Sequence, residues 1–190
     1  MNNIQELFKT PIYKVKLNLD NKIMKDYCFT LQKKDKGRCI SNLGGWQSND
    51  LIGIHKPLMK MIQEIVDHSN IFANNIGLKT PVKMGNCWIN INGYKDYNRE
   101  HSHPHSILSG VYYLNTPKNC GNIFFKHPCN DYFNYDWDNK NIVNKNEYTS
   151  PEWWLPSTEG NLYIFPGWLT HYVKPNLNKK EKRISLSFNI

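Results

Sequence analysis

The sequence has no long hydrophobic run, and this absence limits where the protein can act. No stretch of its 190 residues approaches the roughly 20 apolar residues that a membrane helix needs. Residues 1–10 also lack the basic start and apolar run of a secretory signal. We therefore expect a soluble protein without a membrane partner. It would act in the cytoplasm of its cell, or of an infected host cell if a phage encodes it.

Cysteine is scarce and irregularly spaced. There are five cysteines, an odd number, and no two of them form a Cys-x-x-Cys pair. This pattern argues against a disulfide scaffold and against a zinc finger, and it fits a reducing compartment. Internal repeats and low-complexity tracts are absent as well.

Positive charge is in excess, but it is not continuous along the chain. Lys and Arg number 24 and Asp and Glu 16, which gives a net charge of +8; alone, such an excess suggests a nucleic-acid partner. Most of it falls in two clusters, Lys33 to Arg38 and Lys174 to Arg183. The stretch from Asp131 to Glu159 instead carries six acids and two lysines. Because these blocks do not make one basic face, we expect no nucleic-acid partner.

Length and composition indicate a single domain covering residues 1–190. Hydrophobic residues make up 39% of the chain, which is enough for a core. In residues 1–80, which we expect to form a helical N-terminal support, the pattern predicts a strand over Ile12–Leu17 and helices over Asp20–Lys34 and Pro57–Asn75. We expect these helices to pack on a sheet.

Residues 81–190 consist mainly of short β-rich runs separated by Gly, Pro and Asn. The predicted strands are Val82–Asn92, Leu108–Asn115, Asn122–Phe125, Asn161–Phe165, His171–Lys174 and Arg183–Asn189. No helix-length segment interrupts them, which is typical of a sandwich or barrel. We predict a mostly β fold with α: a double-stranded β-helix (jelly roll) core with the N-terminal helices outside. Residues 126–160, rich in Asn, Asp and aromatics, predict a long ordered loop that acts as a lid at the pocket entrance.

Three of the seven histidines lie within five residues, directly before a predicted strand. Residues two apart on an extended chain face the same side, so His101 and His103 could hold one metal ion. His171, which follows a turn between two predicted strands, is the best candidate for a third ligand. Two ligands at x and x+2 with a distant histidine are how jelly-roll enzymes build a facial metal site. Spacing alone leaves open that His105 replaces His103 or that Asp96 contributes.

The last predicted strand carries polar residues on one face. Arg183, Ser185, Ser187 and Asn189 alternate there with three apolar residues. An arginine on the inner face of a barrel needs an anion, because an unpaired buried charge is costly. A guanidinium with a hydroxyl two residues away is suited to a carboxylate.

Together these motifs resemble the Fe(II)- and 2-oxoglutarate-dependent oxygenase superfamily. The resemblance rests on His-x-His in place of the usual His-x-Asp, on residues 109–115 and 160–171, and on the Arg-Ile-Ser that opens the last strand. More narrowly, the chain resembles small 2OG-Fe(II) oxygenases of marine bacteria and their phages. That likeness includes residues 44–48 (Gly-Gly-Trp-Gln-Ser) and 88–92 (Trp-Ile-Asn-Ile-Asn) and spans residues 42–189 in all.

The resemblance implies a site and a reaction. His101, His103 and His171 would bind Fe(II), and Arg183 with Ser185 would bind the far carboxylate of 2-oxoglutarate. The co-substrates would be 2-oxoglutarate and O2, and the products succinate, CO2 and a hydroxylated substrate. The primary substrate is not identified by the sequence; a peptidyl or amino-acid substrate is favoured by the acidic stretch. Oligomeric state is not indicated.

Four further residues have a functional and a structural interpretation. The resemblance implies that the Tyr113 hydroxyl helps hold the co-substrate carboxylate, whereas Tyr112 is expected to be a core aromatic. Asn90 and Asn92 could contact the co-substrate or the substrate. In a chain this rich in asparagine, a structural role for both is the simpler interpretation.

Two other functions are compatible with a jelly roll. A cupin-type metal enzyme without 2-oxoglutarate would use the spacing of residues 160, 166 and 171, but it has no need of Arg183. A non-catalytic module would bind sugar or nucleic acid through the tryptophans of residues 126–160. Metal binding would distinguish the two enzymes from the non-catalytic module, and 2-oxoglutarate binding would distinguish the oxygenase from the cupin-type enzyme.

Overall fold

Two antiparallel β-sheets pack face to face around the candidate site. The computed structural model describes residues 3–133, 137 and 140–190. The helices and strands in these residues are β1 (Tyr13–Lys16), α1 (Asn21–Lys34), β2 (Asn42–Leu43), β3 (Trp46–Gln47), α2 (Met59–Asn75), β4 (Asn86–Asn92), β5 (Tyr97–His101), β6 (Leu108–Asn115), β7 (Ile123–Lys126), α3 (Asn130–Phe133), β8 (Glu152–Leu155), β9 (Asn161–Pro166), β10 (His171–Val173) and β11 (Arg183–Asn189).

The strand order confirms the predicted jelly roll. The larger sheet has the order β1-β9-β6-β11-β4-β3, and the smaller sheet has the order β2-β5-β10-β7-β8. All these neighbours pair antiparallel. Except for β3–β4 and β7–β8, consecutive strands lie in different sheets, so residues distant in sequence meet in the space between the sheets.

Helices α1 and α2 lie on the outer face of the larger sheet. Met24 of α1 and Met61, Ile65 and Phe72 of α2 share one buried cluster with the apolar faces of β4, β6, β9 and β11. Full burial of each such side chain contributes roughly 1.5–3 kcal/mol. Asp20 caps α1 by accepting the amides of its first turn. None of the helices in the described part of the chain is both long and apolar enough to cross a membrane.

The predicted 126–160 loop is wrong where it contains β8. Trp153 and Trp154 of β8 pair with Phe125 and Phe124 of β7, and such cross-strand aromatic pairs stabilise a sheet. A four-residue strand between polar segments gives little periodic signal, which explains the difference. Residues 134–136 and 138–139 of that stretch lie outside the described residues.

Strand β11 is at the centre of the larger sheet and separates two environments. It pairs with β4 on one side and β6 on the other, and Ser185 lies opposite both Asn90 and Tyr113. Its apolar residues face the helices, while Arg183, Ser185 and Ser187 line a cavity between the sheets. The alternation of β11 therefore gives that cavity a polar wall.

Candidate functional site

The three histidines converge at one end of the cavity. His101 ends β5 and is in register with His171, the first residue of β10, while His103 follows in the turn after β5. The ring centroids of His101 and His171 are 4.4 Å apart, and those of His103 lie 5.0 and 5.2 Å from them. One nitrogen from each ring lies within 4.8 Å of the other two. This spacing suits a single metal ion.

Backbone carbonyls fix the tautomer of two of the rings. Nδ1 of His101 is 2.7 Å from the carbonyl of Arg99, and Nδ1 of His171 is 2.9 Å from that of Leu169. Since a carbonyl only accepts, each Nδ1 must carry the proton and donate it. Nε2 of each ring is then an unprotonated donor atom, the form that binds a metal.

Burial keeps all three imidazoles neutral at pH 7. It lowers the pKa of His103 to about 4, and a proton on His101 would oppose one on His103 as well. Burial also lowers the pKa of His101, and it lowers that of His171 well below the usual value. Neutral imidazoles bind a metal ion without competition from protons.

The two ligands that spacing had left open lie outside this cluster. His105 is exposed and has a positive φ of 73°. Asp96 lies in the turn between β4 and β5, where its Oδ2 accepts the amide of Gly93 at 2.7 Å. The cluster therefore contains His103 and neither alternative.

Arg183 lies at the other end of the cavity and is only 1% exposed. Its Nη1 donates to the backbone carbonyls of Cys120 and, at 3.0 Å, of Lys174. Its Nη2 donates to Oδ1 of Asn98 at 3.4 Å. In the described part of the chain, no carboxylate lies within ion-pair distance of it. Burial lowers the pKa of Arg183, but a guanidinium stays charged in proteins, so this end of the cavity carries an unbalanced positive charge.

Adjacent tyrosines of β6 point to opposite sides of the sheet. Tyr113 lines the cavity, and its buried hydroxyl lacks a hydrogen-bond partner among the described residues. Burial raises the pKa of Tyr113 to about 12. The positive charge of Arg183 and the nearby Ser157 hydroxyl act in the opposite direction and lower it. The hydroxyls of Tyr113 and Ser157 do not have the geometry of a hydrogen bond to each other. Tyr112 is in the helix-side core and donates to Oδ1 of Asn21 at 2.7 Å. Tyr113 thus leaves a donor available on the cavity side.

The remaining predicted residues of β4 and β11 lie on the same polar wall. Ser185 and Asn90 line the cavity, and Nδ2 of Asn90 donates to Ser187 Oγ at 3.1 Å. Oδ1 of Asn90 and both amide atoms of Asn92 are buried and lack partners in the described residues. Sequence reasoning had not identified Asn98 or the carbonyl of Cys120, because neither a lone asparagine nor a backbone acceptor has a sequence signature.

The Gly-Gly-Trp segment has a structural explanation in the tight turn that leads from β2 in the smaller sheet to β3 in the larger sheet. Gly44 has a φ of +85°, and a Cβ there would clash with the Asp96 carboxylate. A Cβ on Gly45 would lie 2.7 Å from Nδ2 of Asn92. Nε1 of Trp46 donates to a backbone carbonyl after α1 at 2.9 Å. The two glycines therefore let this turn pack closely against β4 beside the arginine end.

A protein-family model described as "Putative 2OG-Fe(II) oxygenase" matches residues 86–189, more than half of the chain. The chain belongs to this 2OG-Fe(II) oxygenase family. It is therefore a non-haem oxygenase that uses Fe(II) and 2-oxoglutarate, and the expected co-substrates are 2-oxoglutarate and O2. The predicted function, enzyme class and cofactors are confirmed at this level. No functionally curated protein matches the chain in sequence.

Solved structures share the fold of this oxygenase at low sequence identity. A prolyl-4-hydroxylase from Pseudomonas putida has a TM-score of 0.61 and 15% identity, with 95% of this chain and 92% of that chain covered. The viral collagen prolyl hydroxylase of Paramecium Bursaria Chlorella virus-1, in a 2-oxoglutarate complex, has values of 0.59 and 12%, with 94% of each covered. A prolyl hydroxylase from Trichoplax adhaerens, in complex with a hypoxia inducible factor peptide, has values of 0.64 and 14%, with 94% and 82% covered.

Proposed function

We propose that His101, His103 and His171 hold Fe(II), and that Arg183 with Ser185 binds the far carboxylate of 2-oxoglutarate. One observation carries this assignment: a buried, unpaired guanidinium lines the same cavity as three clustered imidazoles. A carboxylate is the counter-charge that such a guanidinium lacks.

The donor set fits iron bound together with a dianion. Three neutral imidazoles leave the full charge of the ion uncompensated, since the usual carboxylate ligand is replaced by His103. A dianionic co-substrate would offset most of the positive charge that this ion and Arg183 carry at the two ends of the cavity. Three protein ligands on one face would also leave coordination positions open.

The protein's own residues orient and shield the site. The carbonyls of Arg99 and Leu169 hold the rings of His101 and His171 through Nδ1. Phe165 packs against His171 with ring centroids 4.7 Å apart and limits water there. When bound, Fe(II) supplies the oxygen activation that couples decarboxylation of 2-oxoglutarate to oxidation of the primary substrate.

The hydroxyls and amides of the polar wall would complete the co-substrate site. The unpartnered Tyr113 hydroxyl would donate to the carboxylate that Arg183 binds, and the Ser185 hydroxyl would donate from β11. Asn90 lies on the same wall, and the second N–H of its Nδ2, beside the one donated to Ser187, would contact the co-substrate as well. These donors together would fix the length and direction of the bound molecule.

Anaerobic titration tests the assignment without turnover. Addition of 2-oxoglutarate to the Fe(II)-loaded protein should produce a weak metal-to-ligand charge-transfer absorption in the visible region. A cupin-type enzyme would bind the metal but show no such absorption when 2-oxoglutarate is added. A non-catalytic module would neither bind the metal nor show the absorption. Failure of the band to appear in metal-loaded protein would overturn the proposed site.

We further propose that residues 1–190 form one catalytic domain and that its primary substrate is a peptide or amino acid, not a nucleic acid. The shared core between helices and larger sheet supports the first point. The peptide bound to the Trichoplax enzyme supports the second. The acidic stretch supports it as well, because the chain that leads into this stretch lies beside the histidine cluster: the Lys126 amide donates to the carbonyl of Thr170, the residue before His171. Succinate release should respond to peptides or amino acids; a response to nucleotides alone would contradict this substrate class.

A further inference from the structure

Every hydrogen-bond acceptor around Arg183 is uncharged. Two are the backbone carbonyls of Cys120 and Lys174, and the third is the side-chain oxygen of Asn98. Asn98 lies on β5, is 7% exposed and lines the same cavity. It is the one side chain that accepts from Arg183 among the hydrogen bonds of the described residues.

The two acidic residues closest in sequence to Asn98, Asp96 and Glu100, are both turned away from this contact, and Glu100 pairs with Lys126 instead. Asp96 lies two residues before Asn98, and its charge raises the pKa of Arg183 only at longer range. Its carboxylate accepts the amide of Gly93 and faces Gly44 in the turn between β2 and β3. The fold thus directs a carboxylate away from the guanidinium and places an amide of the same shape against it.

The difference between an amide and a carboxylate at this position decides what Arg183 can bind. An amide oxygen orients the guanidinium through a hydrogen bond but leaves its charge available to a ligand. A carboxylate would form an internal ion pair, and an incoming anion would then have to compete with it. Aspartate and asparagine are nearly isosteric, so shape alone does not select the amide.

We infer that Asn98 is a positioning and specificity residue of the co-substrate site. It orients Arg183 for a carboxylate and, because it is uncharged, leaves the positive charge for that carboxylate. This inference rests on the proposed role of Arg183 in binding 2-oxoglutarate. Asn98 would hold the guanidinium of Arg183 in place, while Arg183 alone supplies the positive charge.

Calorimetric titration of 2-oxoglutarate into the metal-loaded, full-length protein tests the inference under anaerobic conditions. Asn98→Asp should weaken binding about ten- to hundredfold, the range expected for a charge-assisted interaction. Asn98→Ala, which removes only a long hydrogen bond, should weaken it about threefold. Asn18→Asp, on an exposed residue between β1 and α1, adds the same charge elsewhere and should match the wild type.

Steady-state kinetics and melting temperature complete the test. Asn98→Asp should raise KM for 2-oxoglutarate while kcat at saturation stays close to that of the wild type, and its melting temperature should not fall, because the new pair is satisfied. Wild-type affinity in Asn98→Asp, or equal losses in the aspartate and alanine variants, would overturn the role of neutrality. If the wild type itself binds no 2-oxoglutarate while retaining metal, the proposed function fails and this inference fails with it.

Discussion

The two ends of the cavity are built in opposite ways. The histidine end is formed at the ends of short strands, and two of its three rings, His101 and His103, are partly exposed while His171 is buried. The arginine end begins on a central strand, and Arg183 is almost completely buried. An oxygenase needs this difference, because substrate and O2 must reach the metal whereas the co-substrate carboxylate binds best where water is excluded. Substitutions at the two ends should therefore have separable effects.

The largest effect is expected at the histidine end. His171→Ala removes one of the three proposed ligands and should lower metal content and turnover on the order of a hundredfold or more. Metal analysis after desalting and succinate release measure these losses. His105→Ala, on an exposed histidine outside the cluster, is the matched control and should change neither. Full metal retention in His171→Ala would rule out the three-histidine centre.

Substitution at the arginine end should affect the co-substrate and spare the metal. Arg183→Met removes the charge with little change in length and should raise KM for 2-oxoglutarate about ten- to hundredfold. No buried counter-charge is left behind, but the carbonyls of Cys120 and Lys174 lose their donor, so the free energy of unfolding should fall by about 1–3 kcal/mol. Lys182→Met removes an exposed charge one residue earlier and should leave KM unchanged. An unaltered KM in Arg183→Met would exclude the assigned anion site.

A glycine beneath the arginine end connects backbone strain to co-substrate binding. Gly121 has a φ of +83°, and a Cβ there would clash with the Lys174 carbonyl that accepts from Arg183. Gly121→Ala should cost about 1–3 kcal/mol of stability and raise KM for 2-oxoglutarate a few-fold. Gly77→Ala has a similar φ of +80° but open space around its Cβ. Gly77→Ala should therefore lose less melting temperature than Gly121→Ala and leave KM for 2-oxoglutarate unchanged. Equal changes of KM in the two variants would refute a link between the backbone at Gly121 and co-substrate binding.

The smallest effects should distinguish the adjacent tyrosines of β6. Tyr113→Phe removes a hydroxyl without a partner and should weaken 2-oxoglutarate binding a few-fold at no cost in stability. Tyr112→Phe breaks the bond to Asn21 and should cost about 1 kcal/mol with no change in affinity. Chemical denaturation and calorimetry measure the two quantities. The reverse outcome would place the cavity on the wrong face of β6.

The sequence predicted those parts of the fold whose pattern extends over a whole strand or helix. β6 and β11 have their predicted bounds, and α1 begins directly after its capping aspartate, Asp20. β2 and β3 have two residues each and were not predicted, since two residues carry no periodicity. β5 was not predicted either, because only Asn98 of its five residues is fully buried.

The candidate site was predicted to the extent that single residues carry its chemistry. The histidine spacing and the polar face of β11 are local, so the cluster and Arg183 could be found in the sequence. The groups that hold Arg183 could not, because two are backbone carbonyls and the third is one asparagine among many. Whether a polar residue faces a cavity or a neighbouring strand depends on sheet register, which is set by long-range pairing.

Because β11 is hydrogen-bonded on both edges, its amides should exchange with solvent only when the whole domain opens. The wall that would receive 2-oxoglutarate is therefore preorganised, and binding would lose little conformational entropy in this strand. The same backbone carries Ile184, Leu186 and Phe188 into the helix-side core. Substitutions that loosen the packing of these core residues should therefore also lower the affinity for the co-substrate. Across such variants of β11, thermal stability and affinity for 2-oxoglutarate should decrease together.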